Sequence, residues 1–182
     1  MPKILEIEPT PNPNAKKFIL KDSLTMGTSR SYDNANAASQ DPLASQLFAI
    51  PHVTNVYYID RWLTVTQDGQ ADWQMLMRQL AEPIRAAEPY ASQPVVTNAA
   101  KGADDPETQG RLAAIEAILD DKIRPALQMD GGDLEVVYLQ DKLLTVRYHG
   151  ACGSCPSAFY GTLGAIEQLI HSLEPDLELM VI

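Results

Sequence analysis

The sequence predicts an α+β protein, two small α+β domains joined by a linker. Three observations carry this. Short β-type runs and helix-period apolar stripes occur in both halves of the 182-residue chain. Apolar periodicity lapses over residues 91–106. Beyond the lapse the order is helix, strand, strand, cysteine loop, helix, strand. Hydrophobic residues make up 45% and charged residues 21%, ordinary for globular domains with modest cores.

In the first half, Ile4 to Glu8 is a short strand candidate, stopped by the proline- and asparagine-rich run Pro9 to Asn14. Lys17 to Leu20 resumes a strand. From Ser23 to Ser39 small and polar residues dominate, which predicts loop. Asp41 caps a helix with Pro42 at its first position and Leu43, Leu47 and Phe48 on one face. Val53 to Ile59 and Trp62 to Thr66 form a hairpin about Asp60-Arg61. Asp72 caps a second helix, whose stripe of Trp73, Leu76, Met77, Leu80 and Ile84 reads as core.

Residues 1–90 therefore form the first domain, 91–106 the linker and 107–182 the second domain. The second opens on a helix with Leu112, Ile115, Leu119, Ile123 and Leu127 on one face, its last turn distorted by Pro125. Asp130-Gly131-Gly132 makes a sharp exit. Leu134, Val136 and Tyr138, then Leu144, Val146 and Tyr148, form the apolar face of a hairpin, with Thr145, Arg147 and His149 on the polar face. After the cysteine loop comes a helix with the stripe Leu163, Ile166, Leu169, Ile170 and Leu173, then a strand from Leu177 to Ile182.

The charge is uneven. Residues 1–97 hold 8 Lys and Arg against 10 Asp and Glu, and residues 98–182 hold 6 against 14, so most of the net −10 lies in the second half. That argues against a nucleic-acid partner. No apolar run approaches the roughly 18 residues that cross a bilayer, so no membrane role is expected. The start has neither a signal-peptide nor a transit-peptide pattern, which predicts a cytoplasmic protein; a processed organellar form has the same appearance. His52 and His171 read as structural, and Asp104-Asp105 and Asp120-Asp121 as solvation.

The two cysteines, Cys152 and Cys155, are three apart in Gly150-Ala151-Cys152-Gly153-Ser154-Cys155-Pro156. A disulfide closing so short a loop adds little as a staple, and this spacing points to redox chemistry or metal binding. Pro156 suits the first helical position, placing Cys155 at or beside the N-cap, where free amides and the helix dipole favour thiolate. Iron–sulfur clusters and zinc usually take four ligands, and this chain offers two thiolates. Either a second copy, small thiols or histidines supply the others, or no metal binds.

Ile123-Arg124-Pro125-Ala126-Leu127-Gln128-Met129-Asp130-Gly131-Gly132-Asp133, followed by that cysteine loop, closely resembles the C-terminal domain shared by NifU and the Nfu carriers. Pro11 to Phe18 and Leu63 to Thr66 resemble the N-terminal domain of two-domain Nfu proteins. The pair Gly153-Ser154 departs from the commoner family pattern, while both cysteines are kept. The resemblance implies a carrier rather than an enzyme. Cys152 and Cys155 would be its metal and cofactor ligands, and its cargo a labile [4Fe–4S] or [2Fe–2S] cluster bridging a homodimer. Upstream cluster-assembly machinery and apo iron–sulfur recipient proteins are the implied partners, with residues 1–90 docking recipients.

Two other readings compete. A thiol–disulfide oxidoreductase shares the C-x-x-C motif, but only 27 residues follow Cys155, too few for the β-β-α portion such folds place behind it. A zinc-binding interaction module would add His149 to the cysteines, yet strand alternation turns His149 to the polar face. No nucleophile–His–acid set or phosphate-cradling glycine loop is present.

Overall fold

The computed structural model describes residues 3–88, 105–154 and 156–182, with side chains described for all of these except 154 and 156–161. It is α+β, as expected, and divides into two compact units, Met1–Val95 and Val96–Ile182. Most of the expected linker, residues 91–104, lies outside the described residues.

In the first unit, β1 (Ile4–Pro9), β2 (Ala15–Leu20), β3 (Arg30–Tyr32), β4 (Val53–Ile59) and β5 (Trp62–Gln67) form one antiparallel sheet in the order β1-β2-β5-β4-β3. The register aligns Ile7, Phe18, Leu63 and Tyr58 in one row across four strands. Against that face lie α1 (Pro42–Phe48) and α2 (Trp73–Ala86), which bury Leu43, Leu47, Leu76, Leu80 and Ile84 in a shared core. Both caps act as read: the Asp41 carboxylate accepts from the Ala44 N–H at 3.0 Å, and that of Asp72 from Gln74 and Met75. The stretch read as loop contains β3. Its three residues have no strand period of their own, and pairing with Val56, Tyr57 and Tyr58 makes them a strand.

In the second unit, α3 (Pro106–Lys122) and α4 (Arg124–Met129) replace the single helix expected. Pro125 lacks the N–H a continuing helix needs, so it occupies the first turn of a new one, and the chain breaks at Ile123. Asp105, read as solvation within the linker, caps α3 through Thr108 N–H at 2.9 Å. The strands β6 (Gly132–Gln140) and β7 (Leu143–Gly150) pair antiparallel, and β8 (Glu178–Val181) adds to β7 in parallel after α5 (Pro156–Leu173).

Two apolar assignments change. The β6–β7 register shifts between Val136 and Tyr138, so beyond that bulge Leu139, not Tyr138, enters the core opposite Leu144. Leu173, at the end of α5, is 43% exposed, while Ile166 and Ile170 are buried with Leu112, Ile115, Leu119 and Leu127.

Candidate metal centre

The cysteine loop is held where three pieces of the second unit converge. Strand β7 ends at Gly150, whose φ of +64° turns the chain into a single 3-10 turn, Ala151–Ser154, and α5 starts at Pro156. The Ala151 N–H donates to the Gly131 carbonyl at 3.1 Å, tying the turn to the corner between α4 and β6. Gly131 has φ +82°, a left-handed conformation that glycine adopts without strain.

Gly132 matters for a different reason. A Cβ there would stand 2.5 Å from the Cys152 Sγ and 2.6 Å from the His149 carbonyl oxygen. The thiol therefore occupies the space a side chain would fill. Cys152 is 6% exposed and belongs to the core that contains Leu134, Val136 and Ile166. Gly153 is similarly constrained, its missing Cβ falling 3.2 Å from the Tyr148 carbonyl oxygen. The two glycine-containing motifs are thus two sides of one contact, which sequence spacing alone does not reveal.

Arg124 fixes the corner from outside. Its guanidinium donates to the Leu134 carbonyl at 3.1 Å and to Glu116 at 2.6 Å, and also bonds Asp120. Its Nε lies 3.7 Å from Asp133. Asp133, 6% exposed, accepts from the Leu134 N–H at 2.8 Å. Asp120, read as solvation, is thereby a partner of Arg124, joining α3 to α4.

Tyr148 lies on the core face of β7, opposite Leu134. It is 8% exposed, and its hydroxyl meets no hydrogen-bond partner among the described residues. Burial, and then the negative charge of Cys152, push its pKa up to about 12. A tyrosine closing the β7 run of Leu144 and Val146 is the signal the sequence holds, and by alternation alone it reads as core.

His149 is on the other face of the sheet, its Nε2 3.0 Å from a Glu135 carboxylate oxygen, as strand alternation expects. That hydrogen bond is the main reason the Glu135 carboxyl is held below its ordinary range. Among the described residues no three His, Cys, Asp or Glu side chains gather into a metal-holding group. Cys155 lies outside the described residues. His52 bonds Asp68 at 2.9 Å, and His171 bonds the Leu177 carbonyl at 3.0 Å.

Comparisons with known proteins divide the chain the same way. Residues 5–88 match the family model "Scaffold protein Nfu/NifU N terminal", and residues 115–178 match "NifU-like domain". The human mitochondrial NFU1 iron-sulfur cluster scaffold homolog is 29% identical over 179 residues, covering 96% of this chain and 69% of that protein. Its counterpart in Drosophila sechellia is 28% identical over 182 residues, and this chain spans 62% of its length. Among solved structures, a NifU-like protein from Saccharomyces cerevisiae is 27% identical, covering 46% of this chain and 77% of that one at a TM-score of 0.41. Protein SAV1430 from Staphylococcus aureus is 23% identical, covering 44% and 96% at a TM-score of 0.40.

Proposed function

This chain belongs to the two-domain Nfu family, and from that premise we propose that it is a non-catalytic iron–sulfur scaffold and carrier, its cluster held by Cys152 and Cys155 and completed by the same pair from a second copy. The observation that carries the reading is the Cys152 thiol seated against Gly132, in a turn between a strand end and a helix start. Gly132 gives the sulfur its place at the corner, and the cysteine pair lies inside the NifU-like match.

Four-thiolate ligation is the rule for [2Fe–2S] and [4Fe–4S] clusters, and the chain has 2 cysteines. A two-fold seam presents the same surface twice and so brings four together. A cluster held across that seam is released when the copies part, which suits delivery to an apo-protein. In this division of labour the second unit holds the cargo and the first docks the recipient.

The test is anaerobic loading of the full chain with iron and sulfide, read by iron analysis, absorption spectra and sedimentation. A bridged [4Fe–4S] form has about four irons per dimer, and metal-free protein is monomeric. Cys152→Ser and Cys155→Ser each lose cluster and dimer together. A stable cluster on a strict monomer, without added thiol, overturns the bridging model.

A further inference from the structure

The first unit has an open groove of about 730 Å³ between the edge strand β1 and helix α2. It lies on the core face of the sheet at its β1 edge, where Ile4 packs against the core. The register puts Ile4 beside Leu20 and Ile7 beside Phe18, both of them core residues, so Ile4 and Ile7 face the helix side. Ile7 nevertheless remains 38% exposed, and Leu5, at the β1 register shift, is 62% exposed. Met77 and Ala81, one turn apart on α2, form the opposite wall.

The rim is cationic. Arg78 and Arg85 line the groove from α2, both are exposed, and neither is ion-paired among the described residues. The one acidic liner, Glu6, is paired in register with Ile19, on the sheet face away from the Ile7–Phe18 row. In a chain of net charge −10, two arginines along one apolar groove, with no ion-pair partner among the described residues, are a local reversal of sign.

β1 has β2 on one side only, so its other edge has no strand among the described residues. An edge strand beside a helix is the arrangement that takes an extended peptide as an added strand: main-chain hydrogen bonds supply affinity, and alternate side chains enter the groove. We propose that this groove docks an extended segment of a recipient apo-protein, an apolar residue flanked by two carboxylates. Seven helical residues set Arg78 and Arg85 about 10 Å apart. Carboxylates four positions apart on a strand span about 13 Å, a difference within the reach of an arginine side chain. The residue midway between them points the same way and fills the apolar floor. The identity of the partner as a recipient rests on the carrier reading above.

The probe is the peptide acetyl-Thr-Asp-Val-Ile-Val-Asp-Thr-amide, titrated into the full metal-free chain and followed by amide chemical shifts and calorimetry. Saturable binding is expected, with the largest shifts in β1 and α2. Arg78→Glu with Arg85→Glu weakens it at least tenfold, and replacing both Asp of the peptide by Lys does the same. A peptide N-methylated at both Val residues fails to bind, because it cannot pair with the edge. Equal affinity for the Asp and Lys peptides, or no binding at millimolar concentration, overturns the proposal. So does dimerisation of the free chain that Leu5→Lys abolishes, which would give the edge to a second copy. Cluster loading of the double arginine variant is measured alongside. If iron content depends on Cys152 while the peptide fails, only the groove assignment falls; if the peptide binds and no cluster forms, the carrier reading falls.

Discussion

In the first unit Asp41 is 1% exposed and fully engaged: one oxygen accepts from the Ala44 N–H, the other from the Tyr32 hydroxyl at 2.7 Å and from the Tyr58 hydroxyl, with an Arg30 nitrogen 3.8 Å away. In the second unit Tyr148 is buried almost as deeply, yet its hydroxyl has no partner among the described residues, and the thiol it shares a core with rests on a missing side chain. Both corners are polar groups inside apolar cores. A satisfied polar group holds its surroundings in one arrangement, whereas an unsatisfied one costs stability that the fold must supply from elsewhere. The difference separates a corner built to stay shut from one adjoining the loop proposed to hold the cargo.

The contrast is broken most severely at Asp41. Asp41→Ala removes the α1 cap and strands two phenols whose protons it accepts; burial, and then that hydrogen bond, raise the Tyr58 pKa far above its ordinary value. A loss of about 3 kcal/mol or more is expected. Both tryptophans, Trp62 and Trp73, belong to the first unit, so urea unfolding followed by their fluorescence reads that unit directly. A midpoint within error of the parent would show that the cluster contributes nothing.

Gly132→Ala attacks the other corner. Its methyl lands on the Cys152 sulfur, so the turn must shift. We expect a loss of about 1–3 kcal/mol, the usual cost of overpacking, and iron uptake reduced even where the far-UV spectrum stays native. Normal loading in this variant would mean that the thiol moves freely, against the reading of Gly132 as its seat.

Tyr148→Phe sharpens the comparison by reversing sign. Deleting a buried hydroxyl with no partner among the described residues stabilises the metal-free protein by about 1 kcal/mol, in contrast to Tyr58→Phe, which destabilises it by a similar amount. Thermal unfolding of the two variants side by side decides the matter.

The smallest effect concerns pH. The Glu135 carboxyl is held below its ordinary 4.5, chiefly by the His149 hydrogen bond and against burial. A depressed carboxyl contributes its full stability above 4.5 and loses it as pH falls through the lower folded value. His149→Ala therefore makes the decline in stability below pH 4.5 shallower, by no more than about 1 kcal/mol for a partly exposed pair. Its iron loading should equal the parent's, since His149 lies on the sheet face away from Cys152; loss of iron would make it a ligand.

What the sequence determined by itself is local and punctuated. Asp41-Pro42 and Asp72 marked two helix starts to the residue, because an N-cap is settled by a side chain and the amides two or three positions on. Strands β4 and β5 followed from β-rich runs about Asp60-Arg61, β7 from alternation, and the cysteine loop from its place between a strand and a helix-initiating proline. Tertiary structure decided what depends on a distant partner. β3 exists because β4 offers it an edge, and β8 runs parallel because α5 carries it across to β7. The bulge after Val136 turns Leu139 inward because Leu144 lies opposite, an outcome absent from β6's own alternation. The same holds at the site. Two glycines in a row signal a turn, but only the fold, by bringing residue 152 against residue 132, shows that the second keeps space for a sulfur.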